Sequence, residues 1–173
     1  NRTVASPWAF WPDQTDSLAQ RDTGWIQFYV ETAQEALDSV IQAYRVAEQV
    51  LLPALVNLDA FYVSHALEPV SVPSQALVDA YLPPFAPPQR LDTAHPSSWG
   101  NVVTQDMFYR HRQDIEAAMA RVPELAADAD RAWAERSGRS WGVLERYRCD
   151  GAAVVIVSMG SLCGTARDAV DAM

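Results

Sequence analysis

The sequence predicts an α/β fold: a parallel sheet with flanking helices. Three observations carry that expectation. Residues 25–30 and 50–58 are rich in aromatic, β-branched and aliphatic side chains, a composition that suits strands buried on both faces. Between them, Thr32 and Glu35 form a capping box, and Ala36, Leu37, Val40, Ile41 and Tyr44 recur at helical spacing, so residues 32–49 read as a helix. The connections are short. Strand, helix and strand therefore form a right-handed crossover that leaves the two strands parallel.

The remaining elements follow in chain order. Residues 2–5, which include Arg2, read as the end of a buried strand, and a loop through Pro7 and Pro12 follows. Asp13 or Thr15 is placed to cap a short helix over residues 16–20. Seven of the eleven prolines fall between Glu68 and Trp99, a density that favours extended, semi-rigid chain and marks a connector. Leu77, Val78, Tyr81, Leu82 and Phe85 imply that this connector is packed onto something. Residues 104–135 carry a helical pattern that Pro123 interrupts, which predicts a kink or two helices meeting near Val122, with Gly138 as the stop. Residues 139–149 should lead into a second core, where residues 152–157 read as a buried strand, 160–164 as a tight turn and 165–173 as the start of a helix. A strand, turn and helix of that kind imply a portion of a longer chain.

Composition limits the function. Thirteen basic and twenty-two acidic residues give a net charge of −9, which argues against a nucleic-acid or anionic-membrane partner. No basic and apolar leader opens the sequence, and the uncharged runs are too short or too polar to span a bilayer. Cys149 and Cys163 lack metal-site spacing and read as two reduced thiols of a cytoplasmic protein.

The chemistry-bearing residues cluster early. An arginine, two aspartates three apart and a charged turn suit a polar pocket at strand ends. Asp13 and Asp16 are able to do acid–base work, hold a metal, or simply cap and staple a loop. Arg21 and Asp22 read as a local ion pair. The run Gly160–Thr165 follows an apolar stretch and opens a helix, where amides can bind phosphate, but it lacks the full glycine pattern of nucleotide sites and also reads as a plain turn. His65, His95 and His111 are scattered without a nucleophile–base pattern.

Six stretches, RDTGWIQFY, QEALDSVIQAY, VLLPALVNLDAFYVSH, the LPP of the connector, SGRSWGVLERYR and AAVVIVSMGSLCGT, resemble in the same order the α-type portion of pyruvate:ferredoxin oxidoreductases. The resemblance implies that residues 1–66 are the later half of a thiamine pyrimidine-binding α/β domain. Residues 67–103 would be the connector, 104–150 a helical segment and lead-in, and 151–173 the start of a transketolase C-terminal-like domain. It implies decarboxylation of a 2-oxoacid, pyruvate first, on thiamine diphosphate with magnesium. Electrons would pass through iron–sulfur clusters to ferredoxin or flavodoxin, with coenzyme A taking the acyl group, in an oligomer with other subunits. Oxalate or a branched-chain 2-oxoacid is the near alternative, and a non-catalytic assembly piece or a transketolase-type enzyme the further ones. The family arginine that binds the substrate carboxylate maps onto Arg2, beside a pocket loop containing Asp13, Asp16 and Arg21. The sequence departs from the family pattern at Gln14, where many members have histidine, and at Ala60, where glycine is usual. The glutamate that activates the cofactor, the cluster ligands and the diphosphate–magnesium site match no residues of this sequence, so these residues alone should be inactive.

Overall fold

A computed structural model describes residues 1–173. Strand β1 (Ile26–Tyr29) pairs in parallel with β2 (Ala54–Asn57), in the register Ile26 to Ala54 through Tyr29 to Asn57. Helix α2 (Ala33–Val50) joins them. Its start follows from the capping box: Thr32 Oγ1 accepts from the Glu35 amide at 3.1 Å, and Glu35 Oε2 accepts from the Glu31 amide at 2.7 Å. The expected helix and parallel crossover are both present. The second strand is shorter than residues 50–58. Val50 completes the helix, Leu51 turns left-handed at φ 58°, and Pro53 has no amide to donate, although its carbonyl accepts from Ile26.

The face that α2 buries differs from the one its apolar spacing predicts. Val40 and Tyr44 are 46% and 59% exposed, whereas Asp38, Ser39, Gln42, Ala43, Val46 and Val50 are buried. The reason lies further along the chain. After α5 (Val122–Ser137), Gly138 closes the helix at φ 74° and the next residues fold back onto α2. Arg139 grips the Asp38 carboxylate with Nε at 2.7 Å and Nη2 at 2.9 Å, and Trp141 Nε1 adds a third bond at 3.1 Å. Asp130, also buried, accepts from Ser140 Oγ at 2.5 Å and from the Trp141 amide at 2.8 Å. A buried carboxylate is tolerable only with such partners, so polar pairing has drawn the mixed face of α2 inward.

The core joins β1, α2 and α5 through Ile26, Val46, Val50, Val122 and Ala129, so α5 packs on the same core as the first strand. Helix α4 (Gln105–Ala120) precedes it, and the two meet at Arg121, with Pro123 in the first turn of α5 where its missing amide is harmless. The proline-rich segment is not extended throughout. Seven residues free of proline form α3 (Gln75–Tyr81), capped by Ser74; the helix packs through Tyr81, whereas Phe85 beyond it stays 47% exposed. Tyr81 is fully buried edge-on to Trp133 at 5.0 Å, and its hydroxyl donates to the Ala129 carbonyl at 2.9 Å. Burial pushes the Tyr81 phenol well up, which keeps that donor protonated.

Two further expectations are corrected. Residues 2–5 form no strand, and Val4 is 77% exposed. Residues 152–157 form no buried strand: Val154, Val155, Ile156 and Val157 are 57–84% exposed. An apolar β-branched run becomes a strand only beside another strand, and the sheet consists of β1 and β2 alone. A turn at Gly160 then opens α6 (Leu162–Ala172), three residues earlier than expected. No helix is long and apolar enough to cross a membrane.

Candidate functional site at the strand ends

The C-terminal ends of β1 and β2 carry a network of polar contacts, in the region where open α/β sheets bind ligands. Asn1 pairs with the end of β2, donating from its nitrogen to the Leu58 carbonyl at 2.6 Å and accepting from the Ala60 amide at 2.8 Å. Its side-chain amide bonds to Gln14 Oε1, and Gln14 Nε2 donates to Asp59 Oδ1 at 3.0 Å. Asp59 is buried. Its other oxygen accepts from Ser161 twice, from the amide at 2.7 Å and from Oγ at 2.6 Å. A relay from Asn1 through Gln14 and Asp59 to Ser161 thus ties the first loop, the sheet and the start of α6 together. Helix α1 (Thr15–Leu18) closes the β1 side, where Tyr29 donates to Ser17 Oγ at 3.0 Å and Gln27 Nε2 to the Ser17 carbonyl at 2.8 Å.

Arg2 stands beside this relay on irregular, exposed chain. Its Nε donates to the Ala9 carbonyl at 3.2 Å and its backbone amide to Asp16 Oδ2 at 3.3 Å. No carboxylate pairs with its guanidinium, which lies instead over the rings of Trp8 and Phe61. Its surroundings are aromatic where the sequence reading expects a polar pocket. The aspartates serve the loop's own backbone: Asp13 Oδ1 accepts from the Thr15 amide at 2.9 Å and Asp16 Oδ1 from the Ser17 amide at 2.7 Å. Arg21 pairs with Asp22 at 3.7 Å on the surface and donates to the Leu18 carbonyl, away from Arg2's partners.

A second polar knot docks α6. Arg167 bridges Glu31, just past β1, and Glu145 at 2.8 Å. Burial raises the neighbouring Glu35 carboxyl above the usual range, and burial likewise pushes the Cys163 thiol up. Cys163 therefore stays a thiol near Ser158 and is not primed for nucleophilic work. Asp59, Glu31 and Arg167 were not singled out from sequence, and Ser161 only as part of the run Gly160–Thr165. For Asp59 the signal was its position directly after an apolar run, where a strand ends.

Gly160 makes the Asp59 relay testable. It adopts φ 73°, and an added Cβ would lie 2.7 Å from Asp59 Oδ2. Gly160→Ala is expected to force the carboxylate off Ser161 and destabilise the protein by about 1–3 kcal/mol, from left-handed strain and lost bonds together. Denaturant unfolding measures it, and an unchanged midpoint would refute the relay.

The site's residues do not suit the diphosphate–magnesium end of a cofactor. The Ser161 amide, at the one turn placed to bind phosphate, is already held by the Asp59 carboxylate, and no three His, Cys, Asp or Glu side chains converge as metal ligands.

A parallel β-α-β unit with a polar relay at its strand ends defines an α/β domain of the kind that binds ligands at that edge. Comparison with known proteins makes this specific. The family described as "Pyruvate flavodoxin/ferredoxin oxidoreductase, thiamine diP-bdg" matches residues 1–131. The chain is 46% identical over 173 residues to the pyruvate synthase subunit PorA of Methanothermobacter thermautotrophicus. It is 42% identical over 176 residues to PorA of Methanocaldococcus jannaschii, and 43% over 173 residues to the ketoisovalerate oxidoreductase subunit VorA of Pyrococcus abyssi. Each comparison covers 99% of this chain and 44–45% of the relative. The chain belongs to the pyruvate flavodoxin/ferredoxin oxidoreductase family, and it spans a little under half the length of these relatives.

Proposed function

We propose that this chain supplies the substrate-carboxylate contact of a 2-oxoacid:ferredoxin oxidoreductase whose substrate is pyruvate. The observation that carries the reading is the Arg2 guanidinium, uncommitted to any carboxylate and placed beside the strand ends within the family-matched residues. A guanidinium offers a fixed, permanently charged fork to a carboxylate. Asp13 and Asp16 belong to the loop that frames it, and Arg21 lies further along, paired with Asp22. The relatives named for pyruvate support pyruvate as substrate, and those named for ketoisovalerate keep a branched-chain 2-oxoacid as the second reading, with oxalate behind it.

In the complete enzyme, thiamine diphosphate supplies the carbanion chemistry, and its diphosphate, magnesium and activating glutamate come from outside these residues. The reading extends to other subunits of the oligomer, iron–sulfur clusters, coenzyme A as acyl acceptor and ferredoxin or flavodoxin as electron acceptor, in the cytoplasm. Within the whole protein, residues 1–66 would belong to the pyrimidine-binding domain and 67–103 to the connector. Residues 104–150 would be the helical lead-in, and 151–173 the start of a transketolase C-terminal-like domain. The exposed apolar run at 154–157 supports that last assignment, because it would become a strand once neighbours are supplied.

The test is acceptor reduction by the complete complex. Ferredoxin reduction should require a 2-oxoacid, thiamine diphosphate and coenzyme A together. A complete complex that binds thiamine diphosphate and reduces no acceptor with any 2-oxoacid would favour an assembly role instead.

A further inference from the structure

Arg2 stands against a continuous series of rings. Its guanidinium carbon lies 4.7 Å from the Trp8 ring centroid and 5.7 Å from that of Phe61. Trp8 meets Phe10 at 4.5 Å, Phe10 meets Phe61 edge-on at 4.7 Å, and Phe61 stacks on His65 at 4.6 Å with the planes 28° apart. Trp8 and Phe10 are 54% and 57% exposed, so burial alone does not account for the arrangement.

The end of β2 is built to present Phe61. The Asp59 carbonyl accepts from the amides of Val63 at 3.1 Å and Ser64 at 3.2 Å, closing a tight turn. Ser64 Oγ accepts from the Phe61 amide at 3.0 Å and lies 2.8 Å from His65 Nδ1, which steadies the stacked ring. Phe61 itself holds φ 66°, a conformation that favours glycine and that a bulky residue keeps only where its surroundings enforce it. Across the guanidinium, Nε is taken by the carbonyl of Ala9, which is 5% exposed and therefore fixed. Two ring contacts and one hydrogen bond leave the Nη edge as the unused face.

The geometry points to Trp8 and Phe61 as positioning residues that fix the plane of the Arg2 guanidinium and aim its free edge at the carboxylate of a 2-oxoacid. This rests on the proposed role of Arg2. A planar cation is attracted to ring faces. Without them the long side chain samples many rotamers, and each binding event must order it again. The rings act on the carboxylate that all 2-oxoacids share, so their loss should weaken large and small substrates alike.

The test uses the complete oxidoreductase complex carrying Trp8→Leu, Trp8→Phe, Phe61→Gly or Arg2→Ala, with kcat and KM measured for pyruvate and for ketoisovalerate. Phe61→Gly removes the ring while suiting the backbone, so misfolding does not cloud it. Trp8→Leu and Phe61→Gly are each expected to raise KM about 3- to 10-fold for both acids with kcat within about twofold, the scale of a cation–ring contact. Trp8→Phe, which keeps a ring face, should recover most of the loss. Unchanged KM in both ring variants, with Arg2→Ala crippled, would overturn the positioning role and leave Arg2 standing. A rise confined to ketoisovalerate would overturn it in favour of a side-chain pocket. A fall in kcat together with a lower melting temperature would overturn it in favour of a structural role. If Arg2→Ala leaves KM unchanged for both acids, both readings fall.

Discussion

Arg2→Ala in the complete complex is expected to lower kcat/KM for every 2-oxoacid by about 30- to 5,000-fold, while thiamine diphosphate binds as before. The magnitude follows by analogy with truncating one partner of a buried charge pair, which costs roughly 2–5 kcal/mol, converted to a rate ratio in the usual way. The selectivity follows from placement. Arg2 contacts the first loop and the end of β2, where no three His, Cys, Asp or Glu side chains converge as ligands for the magnesium of the diphosphate. Arg2→Lys should fall between wild type and alanine. An ammonium keeps the charge but cannot form two parallel bonds, and it loses the planar contact with Trp8. Steady-state kinetics with a parallel cofactor titration checks both variants. A kcat/KM within about threefold of wild type for Arg2→Ala, well under 1 kcal/mol, would make Arg2 structural.

Arg139→Ala is expected to destabilise the fold by about 3–5 kcal/mol, because it leaves the fully buried Asp38 carboxylate without its cation. Trp141 and Gln34 would remain as neutral donors, too few to replace a bidentate guanidinium. Arg139→Lys keeps the charge and should cost less. The same contact predicts an acid limit. Burial acts to raise the Asp38 carboxyl, but the hydrogen bonds from Arg139 and Trp141 outweigh it and hold the group below the usual carboxylate range. A carboxyl depressed on folding contributes stability that is fully present above its unfolded pKa, about 4, and is lost as pH falls through the lower folded value. Denaturant unfolding at several pH values should therefore show wild type losing stability below about pH 4, with a shallower loss in Arg139→Ala. Identical slopes would show that the pair is not what acid breaks.

The legible part of the fold was local. Thr32 and Glu35 announce α2 through a capping box, and Pro123 and Gly138 mark helix boundaries by what their backbones cannot or can do. Tertiary choices were not legible. The apolar stripe of α2 predicts Val40 and Tyr44 inside, and Arg139, about a hundred residues away, reverses the choice by pairing with Asp38. Residues 152–157 have strand chemistry without a strand beside them, so the run stays exposed. At the candidate site, Arg2 was found through family resemblance and not through spacing. For Asp13 and Asp16 the sequence left acid–base work, metal binding and loop-stapling open, and each side chain bonds a nearby backbone amide. Asp59 was passed over because one carboxylate after a strand looks ordinary until Ser161 arrives from the far end of the chain.

In the proposed function Arg2 reads the carboxylate of the substrate. The most direct measurement compares pyruvate as substrate with pyruvamide, its neutral amide, as a competitive inhibitor that has no carboxylate to lose, in the complete complex with Arg2 intact and with Arg2→Ala. If Arg2 has that role, kcat/KM for pyruvate falls by at least about 30-fold in the variant, the low end of a lost charge partner, while the inhibition constant of pyruvamide stays within about twofold. A pyruvamide inhibition constant that rises by the same factor as kcat/KM for pyruvate falls would contradict it.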